Sequence, residues 1–197
     1  MVHGSIKAGH EKHRCKWAGT DPVYVEYHDN EWGVPLHNDC KLFELFILEG
    51  MQAGLSWITI LKKRQNFRQA FGDFDAKKIA EYNYDKIIQL LSNKNIIRNR
   101  LKIEAAVQNA KAFLRIQKEF GSFDSYLWRF VNNKPVRNAW KVHEDIPAKT
   151  KASIEMSKEL NKKGFKFAGP TICYSFMQAV GMVNDHTTNC FRYNEIV

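Results

Sequence analysis

The sequence predicts an all-α fold, two helical lobes around a cleft, on three observations. Apolar residues recur at the three- and four-residue spacing of a helix face, most clearly Leu42, Phe43, Phe46, Ile47 and Met51. The alternating apolar and polar pattern of a half-buried strand is nearly absent, and capping residues, prolines and glycines bracket the periodic runs where helices should start and stop. At 197 residues, 44% of them hydrophobic, the chain can build one core or two small lobes that share an interface.

Met1 to His13 is polar, aperiodic and contains three histidines, and reads as a flexible leader ahead of one unit spanning 14–197. Thr20 or Asp21 can cap a short helix with Pro22 at its first position, carrying Val23, Tyr24, Val25, Tyr27 and His28. The Val-Tyr-Val run also suits a strand; helix is preferred because nothing later offers a sheet partner. Asp39 fits as the cap of a long amphipathic helix that Gly54 closes. A second helix starts near Ser56, carries Trp57, Ile60, Leu61, Phe67 and Phe71, and stops at Gly72. Phe74-Asp75-Ala76 opens a third, running through Ile79, Ile87, Ile88, Leu90 and Leu91. Ser92 to Arg100 is a polar turn leading into a helix with Ile103, Val107, Ala110, Phe113 and Ile116 on its apolar side, a helix-hairpin-helix candidate. Phe123 to Val131 is a short helix, and Asn132 to Ala148, with Pro135 and Pro147, is the longest irregular connection. Thr150 caps a helix to Lys163 that Gly164 stops, and Pro170 starts the last one, through Phe176, Val180 and Gly181.

Thirty Lys and Arg against 21 Asp and Glu give a net charge of +9, which favours a polyanionic partner because each cation near a phosphate releases a counterion. The basic residues form short clusters (Lys62, Lys63, Arg64; Arg98, Arg100, Lys102; Lys162, Lys163, Lys166), the pattern of several loops or helix ends tracking a backbone rather than a polybasic tail. No apolar run approaches the roughly 18 residues of a membrane span and no signal peptide opens the chain, so the expected location is cytoplasmic, with no membrane partner. Cys15, Cys40, Cys173 and Cys190 are then not expected to form a disulfide framework; Cys40 and Cys173 fall inside helical patterns as small core residues.

Four constellations carry chemistry. Cys15 with His28, and His186 with Cys190, make a Cys2His2 set that suits a tetrahedral Zn²⁺ and would staple the two ends of the chain; the alternative is buried cysteines and satisfied core histidines. Trp17, Tyr24, Tyr27, Trp32 and Trp57 crowd around one carboxylate, Glu49, as a pocket for a flat, cationic heterocycle such as a nucleobase requires; the alternative is ordinary core packing with Glu49 at the solvent edge. In the hairpin, Asn95 tolerates the left-handed conformation often given to glycine, while Arg98, Arg100 and Lys102 add charge for a phosphate; a polar helix corner would look the same. Gly54-Leu55-Ser56-Trp57 is a turn that can present Leu55 as a wedge between base pairs, or pack it into the core. A Gly-rich phosphate loop, a G-x-S-x-G elbow and an H-E-x-x-H helix are all missing, which excludes most nucleotide hydrolysis, serine acyl transfer and zincin proteolysis.

Tyr24-x-x-Tyr27-His28-Asp29-Asn30-Glu31-Trp32-Gly33-Val34-Pro35, Leu48-Glu49-Gly50-x-Gln52-Ala53-Gly54-Leu55-Ser56-Trp57, Lys163-Gly164-Phe165-Lys166-Phe167 and Thr171-x-Cys173-Tyr174-Ser175-Phe176-Met177-Gln178-Ala179 closely resemble the bacterial 3-methyladenine DNA glycosylase I family, over nearly everything from Cys15 to Cys190. The resemblance implies a monofunctional helix-hairpin-helix glycosylase that flips 3-methyladenine out of alkylated double-stranded DNA and hydrolyses it away, leaving an abasic site, with no lyase step and no obligate protein partner. It implies one structural Zn²⁺ on Cys15, His28, His186 and Cys190, a base pocket of Tyr24, Tyr27, Glu49 and Trp57 lined by Trp17 and Trp32, and Leu55 as the wedge. Glu49 is the expected catalytic and recognition residue; Gly54, Leu55, Asn95, Arg98, Arg100, Lys102 and Lys163 are the expected DNA contacts. Asn95 departs from the glycine of some members. A non-catalytic binder of damaged DNA is the other reading that fits the charge and the hairpin.

Overall fold

In the computed structural model, which describes residues 12–196, helix α2 (Asp39–Gln52) is the axis of the molecule. It is apolar on nearly every side: Leu42, Phe43, Leu45, Phe46, Ile47, Leu48 and Met51 are all buried, the signature of a helix with neighbours all round rather than on one face. Those neighbours are α3 (Trp57–Ala70), α6 (Arg100–Phe120), α7 (Phe123–Trp128) and α9 (Pro170–Ala179). On one side α4 (Ala76–Ala80) and α5 (Tyr84–Ser92) pack on α6; on the other α8 (Lys151–Lys162) packs on α9, and α1 (Pro22–Asn30) lies against α3. The cleft opens over α2, between α1 and α3 on one flank and α9 on the other. No helix among the described residues is long and apolar enough to cross a membrane.

Local signals set most boundaries. Asp21 accepts from the Val23 N–H with Pro22 in the first turn of α1, Ser56 precedes α3, and Thr150 and Ser153 form a reciprocal capping box on α8. The cap of α2 is Asn38, whose side chain accepts from the Lys41 N–H, one residue before the expected Asp39. Asp39 instead reaches across the core to cap α7, accepting from the N–H groups of Phe123 and Asp124 at 2.8 Å. The single helix expected from Phe74 to Leu91 is two, because Asn83 caps Lys86 and restarts the chain at α5.

Two further departures lie near the C-terminal end. The irregular connection carries a two-residue strand, β1 (Val136–Arg137), paired in parallel with β2 (Val183–Asn184) through Val136 to Val183 and Arg137 to Asn184, too short for any alternation to register. A short helix, α10 (Arg192–Glu195), follows the one expected to be last. The expected leader lies outside the described residues except for Lys12 and His13, and the His13 carbonyl accepts from the Phe191 N–H at 2.9 Å.

The connection between α1 and α2 crosses the end of α9 closely. Gly33 N–H donates to the Gln178 carbonyl and Leu36 N–H to the Val180 carbonyl, each at 3.0 Å. Gly181 sits there with φ +69°, and a Cβ on it would lie 2.3 Å from the Val34 carbonyl carbon, so only glycine fits on both grounds.

Candidate functional site

Helix α2 carries two buried glutamates with opposite fates. Glu44 accepts from Arg64 Nε at 2.6 Å and from Arg68 Nε at 3.1 Å, and Arg64 also pairs with Glu31. Arg64 is therefore an internal counterion and not part of a surface cluster, and its neighbour Lys62 pairs with Asp21. Glu49, one and a half turns on and 3% exposed, has no counterion, and its Oε2 is buried without a hydrogen-bond partner. Burial alone pushes its carboxyl up to about 8. An unpaired acid in an apolar wall is costly unless something arrives to pair with it.

The space in front of Glu49 is a cleft of about 310 Å³ lined by Trp17, Tyr24, Tyr27, Trp32 and Trp57, with Gln52, His143, Ile146, Ser175 and Gln178 completing the wall. The aromatic residues form one tilted array: Trp17 lies 4.9 Å from both Tyr24 and Trp32, and Tyr27 lies 5.6 Å from Trp57, centroid to centroid. Burial raises the Tyr24 and Tyr27 phenols above their ordinary range, and the Glu49 charge adds to both, so the three side chains share one electrostatic environment. Trp57 Nε1 is also buried without a partner. The structure thus gathers every residue expected in the pocket. Such a site accepts a flat ring that can pair with a carboxylate.

Cys15, His28, His186 and Cys190 are all buried, and their ligand atoms lie within 4.8 Å of one another. The Sγ of Cys190 is 3.4 Å from His186 Nδ1 and 3.5 Å from His28 Nε2, and Cys15 Sγ is 3.5 Å from His186 Nδ1. Bond lengths for a tetrahedral N/S site imply ligand separations of about 3.3–3.8 Å, so these spacings fit. The outer ring nitrogens are already committed: His28 Nδ1 bonds Asp29 at 2.8 Å and His186 Nε2 bonds the Trp32 carbonyl at 3.1 Å, which turns His28 Nε2 and His186 Nδ1 inward, the former also accepting from the Cys15 N–H at 3.3 Å. Hydrogen bonding from Cys15 holds the Cys190 thiol down while pushing that of Cys15 up, the behaviour of two thiols sharing a proton where a cation would neutralise both. The group can hold a metal ion. It also fixes the cleft, since His28 lies next to Tyr27 on α1 and His186 grips the Trp32 backbone.

The expected DNA contacts separate into groups. Gly54 has φ +77° with open space around it, so its conformation rather than its size is what the turn requires, and Leu55 beyond it is 41% exposed at the tip. Arg98 and Arg100 stand exposed at the start of α6, with Arg100 near Glu104. Asn95 keeps a negative φ; its N–H is held by the Asn93 side chain, which makes the turn without a left-handed residue. Lys102 is buried, and its ammonium donates to the carbonyls of Met51 and Ala53 at 2.8 and 2.6 Å, where the end of α2 leaves acceptors unpaired. Lys163 pairs with Glu119 at the far end of α6, roughly 28 Å along the helix from Arg100, so it does not join the hairpin. Lys166 does lie close, sharing a groove with Leu101 and Phe167.

The site residues that sequence reading passed over are Gln52, His143, Ile146, Ser175 and Gln178. Gln52 follows Glu49 by three and Gln178 follows Ser175 by three, the spacing that puts two side chains on one helix face, so that signal was present. His143 and Ile146 come from an irregular segment, where no period exists to read.

A family model described as methyladenine glycosylase matches residues 17–193. The chain is 49% identical over 180 residues to DNA-3-methyladenine glycosylase 1 of Escherichia coli (strain K12), covering 91% of this chain and 96% of that protein. It is 49% identical over 177 residues to the DNA-3-methyladenine glycosylase of Haemophilus influenzae, covering 90% and 96%. Its structure is similar to a crystal structure of 3-methyladenine DNA glycosylase I, with a TM-score of 0.89 at 51% identity over 91% of this chain and 98% of the other.

Proposed function

This chain belongs to the methyladenine glycosylase family, and from that premise we infer a DNA-repair enzyme that excises 3-methyladenine from alkylated DNA by hydrolysing its N-glycosidic bond, leaving an abasic site. The observation that carries the reading is Glu49, a buried carboxyl with a free oxygen facing an aromatic cleft.

Methylation at N3 places a positive charge on adenine and weakens the bond to the sugar, so the base departs neutral and needs no strong general acid. Selection therefore falls on recognising the charge. In the empty cleft Glu49 is mostly protonated at neutral pH, since burial lifts its carboxyl to about 8. A cationic ring stacked beside Trp57 and the tyrosines favours the carboxylate and pairs with it in a dry setting where the attraction is strong. Neutral adenine offers no such gain. Rotating a base out of the duplex costs a few kcal/mol, less for a poorly paired lesion, and stacking at about 1–3 kcal/mol per base offsets it. Leu55 fills the gap left in the duplex, and Arg98 and Arg100 hold the backbone. Glu49 is also the carboxylate placed to stabilise positive charge as the sugar bond breaks. No lysine lines the cleft among the described residues, so a Schiff-base step has no amine to form it.

Cys15, His28, His186 and Cys190 would hold a Zn²⁺, the ion that two thiolates and two imidazoles suit best, and its role would be structural. Bound there, it would tie the segments carrying Cys15 and Cys190 together, behind Tyr27 and Trp32, which His28 and His186 already adjoin. The substrate is alkylated duplex DNA.

The test is the release of free bases from methylated duplex DNA, separated by chromatography against a control without protein. Accumulating 3-methyladenine is the expected result. DNA binding with no base released above background would make the protein a damage binder without the chemistry.

A further inference from the structure

Leu101 departs from the character of its neighbours. It is 68% exposed in the first turn of α6, the most open of the large apolar side chains among the described residues, and it follows the exposed cations Arg98 and Arg100. The core does not use it, since α6 buries Ile103, Ala106, Val107 and Ala110 instead. A lone exposed leucine would carry no meaning, but this one heads a groove. Leu101, Glu104, Ala105 and Gln108 follow one another at the spacing of one helix face and form one wall of a groove of about 340 Å³. Lys166 and Phe167, from the turn between α8 and α9, form the other.

That second wall is held in place. Phe167 has φ +52°, a conformation costly for a bulky side chain, and the residues on either side of it are pinned by polar side chains. The Lys166 N–H donates to Oδ1 of the buried Asn109 at 2.7 Å, and its carbonyl accepts from Asn109 Nδ2 at 3.1 Å. The Ala168 carbonyl accepts from the Ser157 hydroxyl at 2.6 Å and from Asn161 Nδ2 at 3.0 Å. A Cβ on Gly50 would meet that of Phe167 at 3.4 Å, so Phe167 rests on α2 one residue from Glu49. The first wall is tied to the wedge: Lys102, next to Leu101, donates to the carbonyl of Ala53, two residues before Leu55. Two exposed leucines thus stand on neighbouring tips joined by one buried side chain.

The charge around the groove selects its occupant. Lys166 lines it, Arg98 and Arg100 adjoin it, and its one acid, Glu104, already accepts from Arg100 at 3.3 Å. A DNA strand alternates phosphates with the apolar faces of its deoxyriboses, which matches an apolar wall set among cations, and continuity with the Leu55 tip favours DNA over any other polyanion. We propose that this groove is a second DNA-docking surface, in which Leu101 packs against deoxyribose in the duplex beside the gap that Leu55 fills. The two leucines then have different tasks. Leu55 acts only where a base has left the stack, whereas Leu101 touches backbone that is intact and contributes to holding any duplex, damaged or not. Being apolar, it adds affinity without adding to the salt dependence.

This inference rests on the glycosylase reading, and its test separates the two. Affinity is measured by fluorescence anisotropy, across a range of salt, for an undamaged duplex and for one carrying a tetrahydrofuran abasic-site analogue, alongside the affinity for free 3-methyladenine. Leu101→Ala removes the contact at an exposed position, Leu101→Met keeps an apolar side chain of similar volume, and Ile154→Ala removes an exposed apolar residue of α8, away from the groove. For Leu101→Ala the expected result is a loss of about tenfold on both duplexes, with the salt slope and the free-base affinity unchanged. Leu101→Met should restore binding, and Ile154→Ala should match the wild type. Wild-type DNA affinity in Leu101→Ala would overturn the proposal, and if that variant also lost self-association in gel filtration the groove would belong to a second copy of the chain. An equal fall in free-base affinity would overturn it too, by placing Leu101 in the shaping of the cleft. If the wild-type protein bound the abasic duplex but released no base from methylated DNA, the glycosylase reading would fail, while the anisotropy series would still decide whether DNA occupies the groove.

Discussion

Lys102 Nζ donates to the carbonyl of Ala53 at 2.6 Å, so a lysine at the first turn of α6 anchors the residue that precedes the Gly54-Leu55 tip. The turn before α6 and the Gly54-Leu55 tip are thereby tied together, with a buried cation taking up the unpaired carbonyls at the end of α2.

Replacing that lysine should therefore affect stability and not phosphate binding. Lys102→Met leaves two carbonyls without their donor and is expected to cost about 1–3 kcal/mol in urea unfolding. The salt dependence of DNA affinity should keep its slope, whereas Arg98→Ala should lower it by about one and weaken binding uniformly across sequences. A reduced slope for Lys102→Met would place its ammonium on the DNA after all.

Glu49 titrates in the working range. Its carboxyl is lifted to about 8 in the folded chain and lies in the ordinary range when unfolded, so the folded state binds the extra proton between those values. Stability from this group is complete below the unfolded value and falls as pH rises toward 8. Glu49→Gln should consequently gain on the wild type through that window, by an amount on the order of 1–4 kcal/mol at its upper end, read from melting curves at successive pH. Excision should show the reverse. The kcat/KM of the wild type is expected to rise with pH to a plateau above about 8, and Glu49→Gln should lose a hundredfold or more in rate and show no such rise.

Removing the metal should unfold the protein before it alters the chemistry. One Zn²⁺ per chain is expected by elemental analysis, and a strong chelator or Cys190→Ala should lower the melting temperature by more than about 10 °C. The surviving folded fraction should keep its affinity for free 3-methyladenine, because four protein ligands leave no position for a substrate. An unchanged melting temperature in metal-free protein would remove the ion from the account.

Leu55 lies outside the cleft, so its effect should depend on the duplex. Leu55→Ala is expected to lower excision from paired DNA about tenfold while leaving free-base affinity unaltered, measured by base release and by fluorescence titration. Equal losses in both would mean that the tip shapes the pocket.

What was legible in the sequence was whatever repeats or caps locally. The face of α2, Pro22 at the start of α1 and the capping residue of α8 all announce themselves within a few positions. The break at Asn83 was hidden because Ile79 and Ile87 keep a helical spacing across it, so a cap inside a continuous apolar pattern was read as one more polar residue. The crowding of Trp17, Tyr24, Tyr27, Trp32 and Trp57 in the sequence marks the pocket that these residues line. The orphan oxygen of Glu49 had no sequence signature, because it arises from which charges stay away: Arg64 and Arg68 go to Glu44 instead. Lys102 misled for the opposite reason, since a basic residue in a polar turn looks like surface until a carbonyl cluster from a distant helix end is seen to claim it.

The buried group of Cys15, His28, His186 and Cys190 also orders events during synthesis. Cys15 and His186 stand 171 residues apart, so their pairing closes almost the whole chain into one loop, at an entropic cost on the order of 5 kcal/mol that is shared with the contacts of the α1–α2 connection on the end of α9. A ribosome delivers Cys15 and His28 long before their partners. Until His186 and Cys190 emerge, Trp32 lacks the imidazole that holds its carbonyl and the aromatic wall has no clasp behind it. The last segment to be translated is thus the one that backs the aromatic wall, behind a cleft whose own lining ends at Gln178.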